Sequence, residues 1–523
     1  MPDRLGALWC EALGVEKADP DAGFFALGGT SLVAITLVTR IQAELGVRIP
    51  IARLFDARTL GGLAEAVAEA APAAGPHTPH TLVLDPASRH EPFPLTDIQQ
   101  AYWLGRHRSL SLGGVATHTY LELDVDDLDP ARLQSALRAL IDRHEALRLV
   151  VRPDGLQQVL PHVPPYVLAH TDLRGRADAE AELERVREEM SHEVRDASVW
   201  PLFDIRTHRL DAVRTRLHLS LDLLIADAHS VHVLTRELLS YYHDPDTELP
   251  PLGCSFRDYV LAVRAQGEGE PYRRAVAYWR DRLADLPPAP GLPLLCRPEE
   301  LTAPKFTRLV TGLDATAWAR VRERAAGAEL TPAALVCAAF CEVLAQWSDD
   351  PRFTLNLTTF HRPPLHPGVD DIVGDFTTTT LLAVDGEGET FADRARRLQE
   401  RIWQDLEHRV VSGVEVLRML RRERGERDGA RMPVVFTSTL LPAGAAPQVT
   451  PLSWRVRPVY AISQTPQVLL DHQVSENDGR LVCNWDFVAD AFPPGLIEAM
   501  FGAFEAVLAS LAADDDMTGG GPA

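Results

Sequence analysis

Leucines 217, 219, 221 and 223 alternate with His218, Ser220 and Asp222. A period of two predicts a strand with one apolar and one polar face. Asp227 falls just past its end, and Ser230 is placed to cap a following helix over Val231 to Tyr242. A helical period runs through Leu32, Ile35, Val38, Ile41 and Leu45. The pair Gly28-Gly29 ahead of it predicts a tight turn that leaves Ser31 exposed at the helix start. Thr96 and Gln99 read as a capping box opening another helix. The longest apolar run, Thr331 to Trp347, is broken by Glu342 and Gln346 and reads as a buried helix rather than a membrane span. Later strands are predicted over Val434 to Ser438 and over Gln467 to Val474. In the second, Asp471 shares a face with Gln467 and Gln473, while Val468, Leu470 and Val474 take the other. Asn356 alternates away from Leu355 and Leu357.

These patterns divide the chain. Residues 1 to about 70 form a compact helical unit, and Ala71 to His80, rich in Pro, Ala and His, reads as a linker. From Phe93 to about Leu511 strands and helices alternate irregularly without a short repeat. The end, Asp514 to Ala523, is expected to be disordered. With 523 residues, two to four units are expected, and both ends read as cuts through a longer assembly. A formal charge of −22 argues against a nucleic-acid surface, and the cluster Arg421-Arg422-Glu423-Arg424 reads as a solvated loop. No secretion signal opens the chain, and six cysteines show no C-x-x-C pair. These features point to a soluble protein of the reducing cytoplasm, with no membrane or nucleic-acid partner. His77 and His80 lack companion ligands, so no metal site is expected.

The D-x-x-x-x-D-x-x-S spacing of Asp222, Asp227 and Ser230 resembles the core motif of the heterocyclization domains of nonribosomal peptide synthetases. Amide-forming condensation domains read H-H-x-x-x-D-G there; Asp222 and Leu223 replace both histidines, so no imidazole base is available at that spot. The resemblance continues through Phe93 to Arg106, Arg143 to Arg148, Gly374-Asp375-Phe376-Thr377, Pro433 to Ser438, Ile462 to Val468, Leu470-Asp471-His472-Gln473 and Asn484-Trp485-Asp486. Three positions depart from it: Leu469 replaces a usual tryptophan, His361 a common asparagine and Thr379 a common leucine. The N-terminal unit, with Phe24 to Leu32, Gly46 to Pro50 and Thr59-Leu60, is similar to a peptidyl carrier domain.

The resemblance implies a multidomain chain: an all-α four-helix carrier over 1–70, a linker over 71–91, and an α+β two-lobed domain like chloramphenicol acetyltransferase. Its N-lobe would span 92–265 and its C-lobe 266–513, with a tunnel between them and a tail over 514–523. It implies 4′-phosphopantetheine on Ser31, and as partners a phosphopantetheinyl transferase, upstream synthetase modules, and downstream adenylation and acceptor carrier domains. The implied reaction joins a donor thioester to a carrier-bound Cys, Ser or Thr, then closes and dehydrates a thiazoline or oxazoline. Alternatives are a domain making only the linear amide, or a silent carrier-docking module.

Ring closure and dehydration need a group that takes a proton and returns it, and a partly buried carboxyl with a raised pKa meets that need. Asp471 is the candidate, oriented by Thr437; the resemblance implies ring closure and dehydration for both. Asn356 is a candidate to hold a reacting carbonyl or hydroxyl. Asp227 is expected to be structural, paired with an arginine, Arg148 first, and Asp222 to organise the tunnel. His229 and His472 are expected to pack or hydrogen-bond rather than act as bases.

Overall fold

The computed structural model describes residues 2–17, 19–24, 27, 29, 31–70, 82–301, 304–425, 432–440 and 455–513. The expected tail, the linker to residue 81, and with it His77 and His80, lie outside them. Four helices come first: α1 (Pro2–Leu13), α2 (Ser31–Leu45), α3 (Ile51–Ala57) and α4 (Leu60–Glu69). Leu5, Leu8, Trp9, Leu37, Ile41, Leu54 and Leu63 form their shared core. Thr59 caps α4 by accepting from the Gly62 amide at 3.2 Å. Residues 82–91 are ordered against the main body rather than a free linker: Leu82 is buried, and Asp85 caps a short 3-10 turn, Pro86–Ser88.

The N-lobe is built from β1 (Phe93–Pro94), α5 (Asp97–Gly105), β2 (His118–Asp126), α6 (Pro130–Arg143), β3 (Leu149–Val151), β4 (Leu156–Val159), β5 (Ala169–Asp172) and α7 (Ala179–Ser191). It continues with β6 (Phe203–Arg209), β7 (Arg214–Asp222), α8 (Ala228–His243) and α9 (Phe256–Ala265). The C-lobe supplies α10 (Glu270–Arg282), β8 (Phe306–Leu313), α11 (Ala315–Gly327), α12 (Pro332–Trp347), β9 (Phe353–Phe360), β10 (Thr377–Val384), α13 (Phe391–Glu407), α14 (Gly413–Arg424) and β11 (Val434–Ser438). The last elements are β12 (Val456–Gln464), β13 (Leu470–Asn477), β14 (Arg480–Val488) and α15 (Leu496–Ala512).

Two large sheets result. The C-lobe sheet runs β10-β9-β11-β13-β14-β8, and the N-lobe sheet runs β12-β2-β7-β6-β5. β12 comes from the C-terminal half of the chain, yet it pairs with β2 from Val456↔Val125 to Gln464↔His118. A single cut at residue 265 therefore does not follow the strands: the chain crosses back and ties the lobes through backbone hydrogen bonds. The alternation that predicts β7 holds, but its polar side is the more buried one, with His218, Ser220 and Asp222 at 0–4% exposure. The capping box of Thr96 and Gln99 forms as expected, and α12 is the buried helix its composition predicts. Arg421, Arg422 and Arg424 close α14 instead of forming a loop. Among the described residues no single helix is long and apolar enough to cross a membrane.

A second tie between the lobes centres on Asp227. It caps α8, accepting from the Ser230 amide at 2.7 Å, so the cap is Asp227 and not Ser230. Its partner is Arg362, whose Nη2 lies 3.1 Å from Asp227 Oδ1 and 2.9 Å from Ser230 Oγ. Ser230 in turn donates to the Gly374 carbonyl at 2.8 Å, and the Gly374 amide donates back to Ser230 at 3.1 Å. The Arg362 guanidinium lies over the Phe376 ring, 3.6 Å from its centroid. Gly374 is required because a Cβ there would meet the Phe256 ring.

The expected Arg148–Asp227 pair does not form. Arg148 follows α6 and donates instead to the carbonyls of Ile141 at 2.5 Å, Asp142 at 2.7 Å and Leu160 at 3.3 Å. Helix C-terminal carbonyls lack intrahelical donors and attract a cation, so this local demand wins. The clasp predicts that Asp227→Ala, which strands a buried arginine, loses roughly 3–5 kcal/mol of stability by denaturant unfolding. In a double-mutant cycle Arg362→Ala should couple strongly to Asp227→Ala, and Arg148→Ala should not.

Candidate active site

The C-lobe sheet has two unlike faces. Leu357, Phe436, His472 and Trp485 occupy one register across it and pack beneath Phe340 of α12 and Phe504 of α15. His472 is thus enclosed by aromatic rings, and burial pushes its pKa down to about 3, so it stays neutral. The opposite face is polar. One register there carries Asn356, Val435, Asp471, Asp486 and Arg308; the next carries Thr379, Thr358, Thr437, Gln473 and Asn484. Period-two alternation separates Asp471 from His472 so completely that they live on opposite sides of the sheet.

Hydrogen bonds join the polar registers into a chain. Arg308 Nε donates to Asp486 Oδ1 at 2.7 Å, its Nη2 pairs with Asp486 Oδ2, and Nη2 also donates to Gln473 Oε1 at 3.2 Å. Gln473 Nε2 donates to Asp471 Oδ2 at 2.8 Å. Thr437 stands 3.4 Å from the other Asp471 oxygen and 2.9 Å from Thr358 Oγ1. The expected Thr437–Asp471 contact is present, and so is Gln473. Gln467 is not: β13 begins at Leu470, and Gln467 sits in a turn at φ +64°. Asn356 Oδ1 is buried without a partner among the described residues.

Burial sets the charge of Asp471. At 7% exposure its carboxyl is pushed up to about 7, with Asp486 adding repulsion against the opposing pull of Gln473, Arg308 and Thr437. Burial also raises Asp486, against the pull of its Arg308 partner. Asp471 is therefore poised to hold or release a proton near neutrality. Tyr102 of α5, an N-lobe side chain, lies in the field of Asp375, Asp471 and Asp227, and burial raises its pKa well above the ordinary value. The polar face thus looks across the seam at α5, and the phenol there stays protonated.

Asp222 stands on the N-lobe side of this seam. It pairs with Arg106, which closes α5, and accepts from the Leu224 amide at 3.0 Å. Arg106 also donates to the Arg195 carbonyl at 2.6 Å. Asp222 thereby fixes the end of α5 that carries Tyr102. His229 Nε2 donates to the Asp370 carbonyl at 2.9 Å, a hydrogen-bonding role of the kind expected. Of the departures, Leu469 is core, and His361 meets Arg409 at 3.3 Å beside Arg362. Thr379 is buried at the end of the threonine register. Arg308, Thr358, Arg362 and Tyr102 escaped sequence reasoning as site residues. Asp486 stood inside a quoted motif, but nothing local marked Arg308 as its partner.

The carrier unit offers its own attachment point. Ser31 opens the fifteen-residue helix α2, whose first turn carries no acidic side chain. Unbonded amides at a helix start favour a phosphate, so the residues present suit a phosphopantetheine arm. Gly29 packs so closely on Phe24 that a Cβ would overlap the ring.

A four-helix unit thus precedes two lobes, and a buried carboxyl of raised pKa lies on the sheet face that meets α5. The chain belongs to the condensation domain family: the profile described as Condensation domain matches residues 90–518. The profile described as Phosphopantetheine attachment site matches residues 3–67. Pyochelin synthetase PchF of Pseudomonas aeruginosa is 40% identical over 440 residues, 82% of this chain and 24% of that protein. Phenyloxazoline synthase MbtB of a Mycobacterium species (strain MCS) is 39% identical over 518 residues, 97% of this chain and 43% of that protein. The chain thus spans less than half of these relatives. The cyclization-docking bidomain of the EpoB synthetase from Sorangium cellulosum superposes with a TM-score of 0.77 at 37% identity, covering 98% of both chains.

The raised carboxyl carries a stability signature. A neutral Asp471 in the folded chain against an ionised one in the unfolded chain means stability falls as pH rises from about 4 to about 7. Asp471→Asn should therefore be more stable than the parent at pH 8, by at most about 4 kcal/mol, with the gain shrinking toward pH 4. Thermal melts across that range check it.

Proposed function

We propose that this chain condenses a donor acyl thioester with a Cys, Ser or Thr held on a second carrier, then closes and dehydrates the product to a thiazoline or oxazoline. The observation that supports this reading most is Asp471, a buried carboxyl raised to about 7 and oriented by Thr437 and Gln473 on the seam-facing sheet. The names of two relatives, phenyloxazoline synthase MbtB and the EpoB cyclization-docking bidomain, point the same way. The attached arm, when present on Ser31, supplies the acyl group as a thioester.

The chemistry divides by difficulty. A thioester yields to a positioned amine, so amide formation needs mainly orientation. An amide is a poor electrophile, and hydroxide is a poor leaving group. In our reading Asp471 accepts the proton of the attacking thiol or hydroxyl as it adds to the amide carbon. It passes that proton to the former carbonyl oxygen to give a C–OH, then relays the ring N–H proton to the same oxygen, so that this oxygen departs as water and a C=N bond forms. Thr437, itself bonded to Thr358, keeps the carboxylate edge aimed, and Asn356 holds the carbonyl oxygen. Asp227 and Asp222 shape the seam and take no proton in this scheme. Upstream modules, a downstream adenylation and acceptor carrier pair, and a phosphopantetheinyl transferase are the partners this reading requires. Six unpaired thiols are consistent with a reducing cytoplasm.

The test supplies a loaded donor and Cys-, Ser- or Thr-loaded acceptor carriers and weighs the acceptor thioester by mass spectrometry. Asp471→Asn or Thr437→Ala should accumulate a linear product heavier by one water, with ring formation down about 10²–10⁴-fold and amide formation still measurable. Parallel loss of both products in a folded variant would place Asp471 in binding or condensation instead. Coenzyme A with a transferase should add one arm to the protein and none to Ser31→Ala.

A further inference from the structure

The carrier does not hang free of the main body. Helix α3 lies on α13 of the C-lobe, where the Ile51 amide donates to Glu407 Oε1 at 2.5 Å. At the other end of the contact, Arg58 pairs with Glu329 at 2.8 Å. Glu329 sits in the turn between α11 and α12, and its carbonyl accepts from Gln399 of α13 at 2.7 Å. The carrier core and the C-lobe core run together into one apolar cluster. Arg48 adds a cation beside Glu407.

The Phe24 amide donates to the Arg58 carbonyl at 2.8 Å, and the Gly29 amide donates to the Phe24 carbonyl at 2.9 Å. Phe24 and Gly29, ahead of Ser31 in the chain, are therefore stitched to the residue that pairs with Glu329. Yet α12 and α13 cover the apolar face of the C-lobe sheet, with Leu398, Ile402, Trp403 and Leu406 in the same cluster as Phe340 and Trp485. Asp471 and Thr437 project from the opposite face. A whole sheet and its inner helix layer stand between the carrier's seat and the candidate reaction centre.

We infer that the outer surface of α13, bounded by Glu407 and Glu329, is a resting seat for the chain's own carrier, which must leave it to deliver. The contact suits that use. Its Arg58–Glu329 pair is half exposed on both sides, and such pairs hold weakly. Interfaces between domains of one chain commonly permit relative motion. The seat thus lowers the share of time the carrier spends at the seam without blocking its departure. The inference rests on the proposed reading only for where delivery occurs.

Arg58→Cys with Glu329→Cys, joined by a short cleavable cross-linker, tests it in the full chain. The seat predicts rapid cross-linking of the folded protein. The locked form should make no product from its own loaded carrier, recover when the linker is cut, and still turn over a donor supplied in trans. Locked protein delivering from its own carrier at an undiminished rate would show that this is the delivery position and overturn the inference. So would failure to cross-link, which is read by mass and needs no activity. Arg58→Glu should raise cis delivery about two- to fivefold, the size expected for one exposed pair, and Arg58→Glu with Glu329→Arg should restore the parent rate. If turnover of the trans donor also gave no ring in the unlocked protein, the proposed reaction would fall while the seat stood.

Discussion

Beyond the β12–β2 pairing, the two lobes are held in register by a buried ion pair, Asp227 with Arg362. Its carboxylate ends the strand-helix turn of the N-lobe, and its guanidinium comes from Arg362, two residues past the end of β9 in the C-lobe. The pair is not a simple gain, because taking two charges out of water costs several kcal/mol each. Several neighbours sustain it: the helix cap at Ser230, the return bonds to Gly374 and the Phe376 ring under the guanidinium. What this arrangement secures is geometry. The polar face of the C-lobe sheet can face α5 across a constant gap only if β9 and α8 keep their relation.

The same burial that makes the clasp demanding makes the site reactive. Asp471 has lost most of its water, and its hydrogen bonds come from an amide and a hydroxyl rather than from a cation. A guanidinium in direct contact would pull the carboxyl far down. Arg308 is near, but it spends its two donor edges on Asp486 and Gln473, so its charge reaches Asp471 through an intervening amide. Asp486 thereby has a role beyond its own pair: it occupies the arginine and leaves Asp471 near neutrality.

Much of the site was legible because strand alternation is a strict rule. Asp471, Gln473 and Thr437 follow from period two and from motifs that sit on strands, and the structure brings them together. Gln467 failed because the alternation was extended into a turn, where a positive φ breaks the period. The Arg148 pairing failed for a different reason. Proximity of motifs in the sequence says nothing about which acceptors a side chain finds first, and Arg148 finds the open carbonyls at the end of α6.

By itself the sequence determined the order of elements, the carrier ahead of the lobed body, the helix that Ser31 opens, and the replacement of a histidine pair by Asp222 and Leu223. These are local properties, written in periodicity, caps and residue identity. The tertiary structure alone decided three things: that β12 returns to the N-lobe sheet, that Arg362 and not Arg148 meets Asp227, and that Arg308 is held away from Asp471 by Asp486 and Gln473. Each joins residues far apart in the chain, Arg308 and Asp486 by 178 positions. A charge's partner is chosen by distance and desolvation in the folded state, and a linear pattern carries neither.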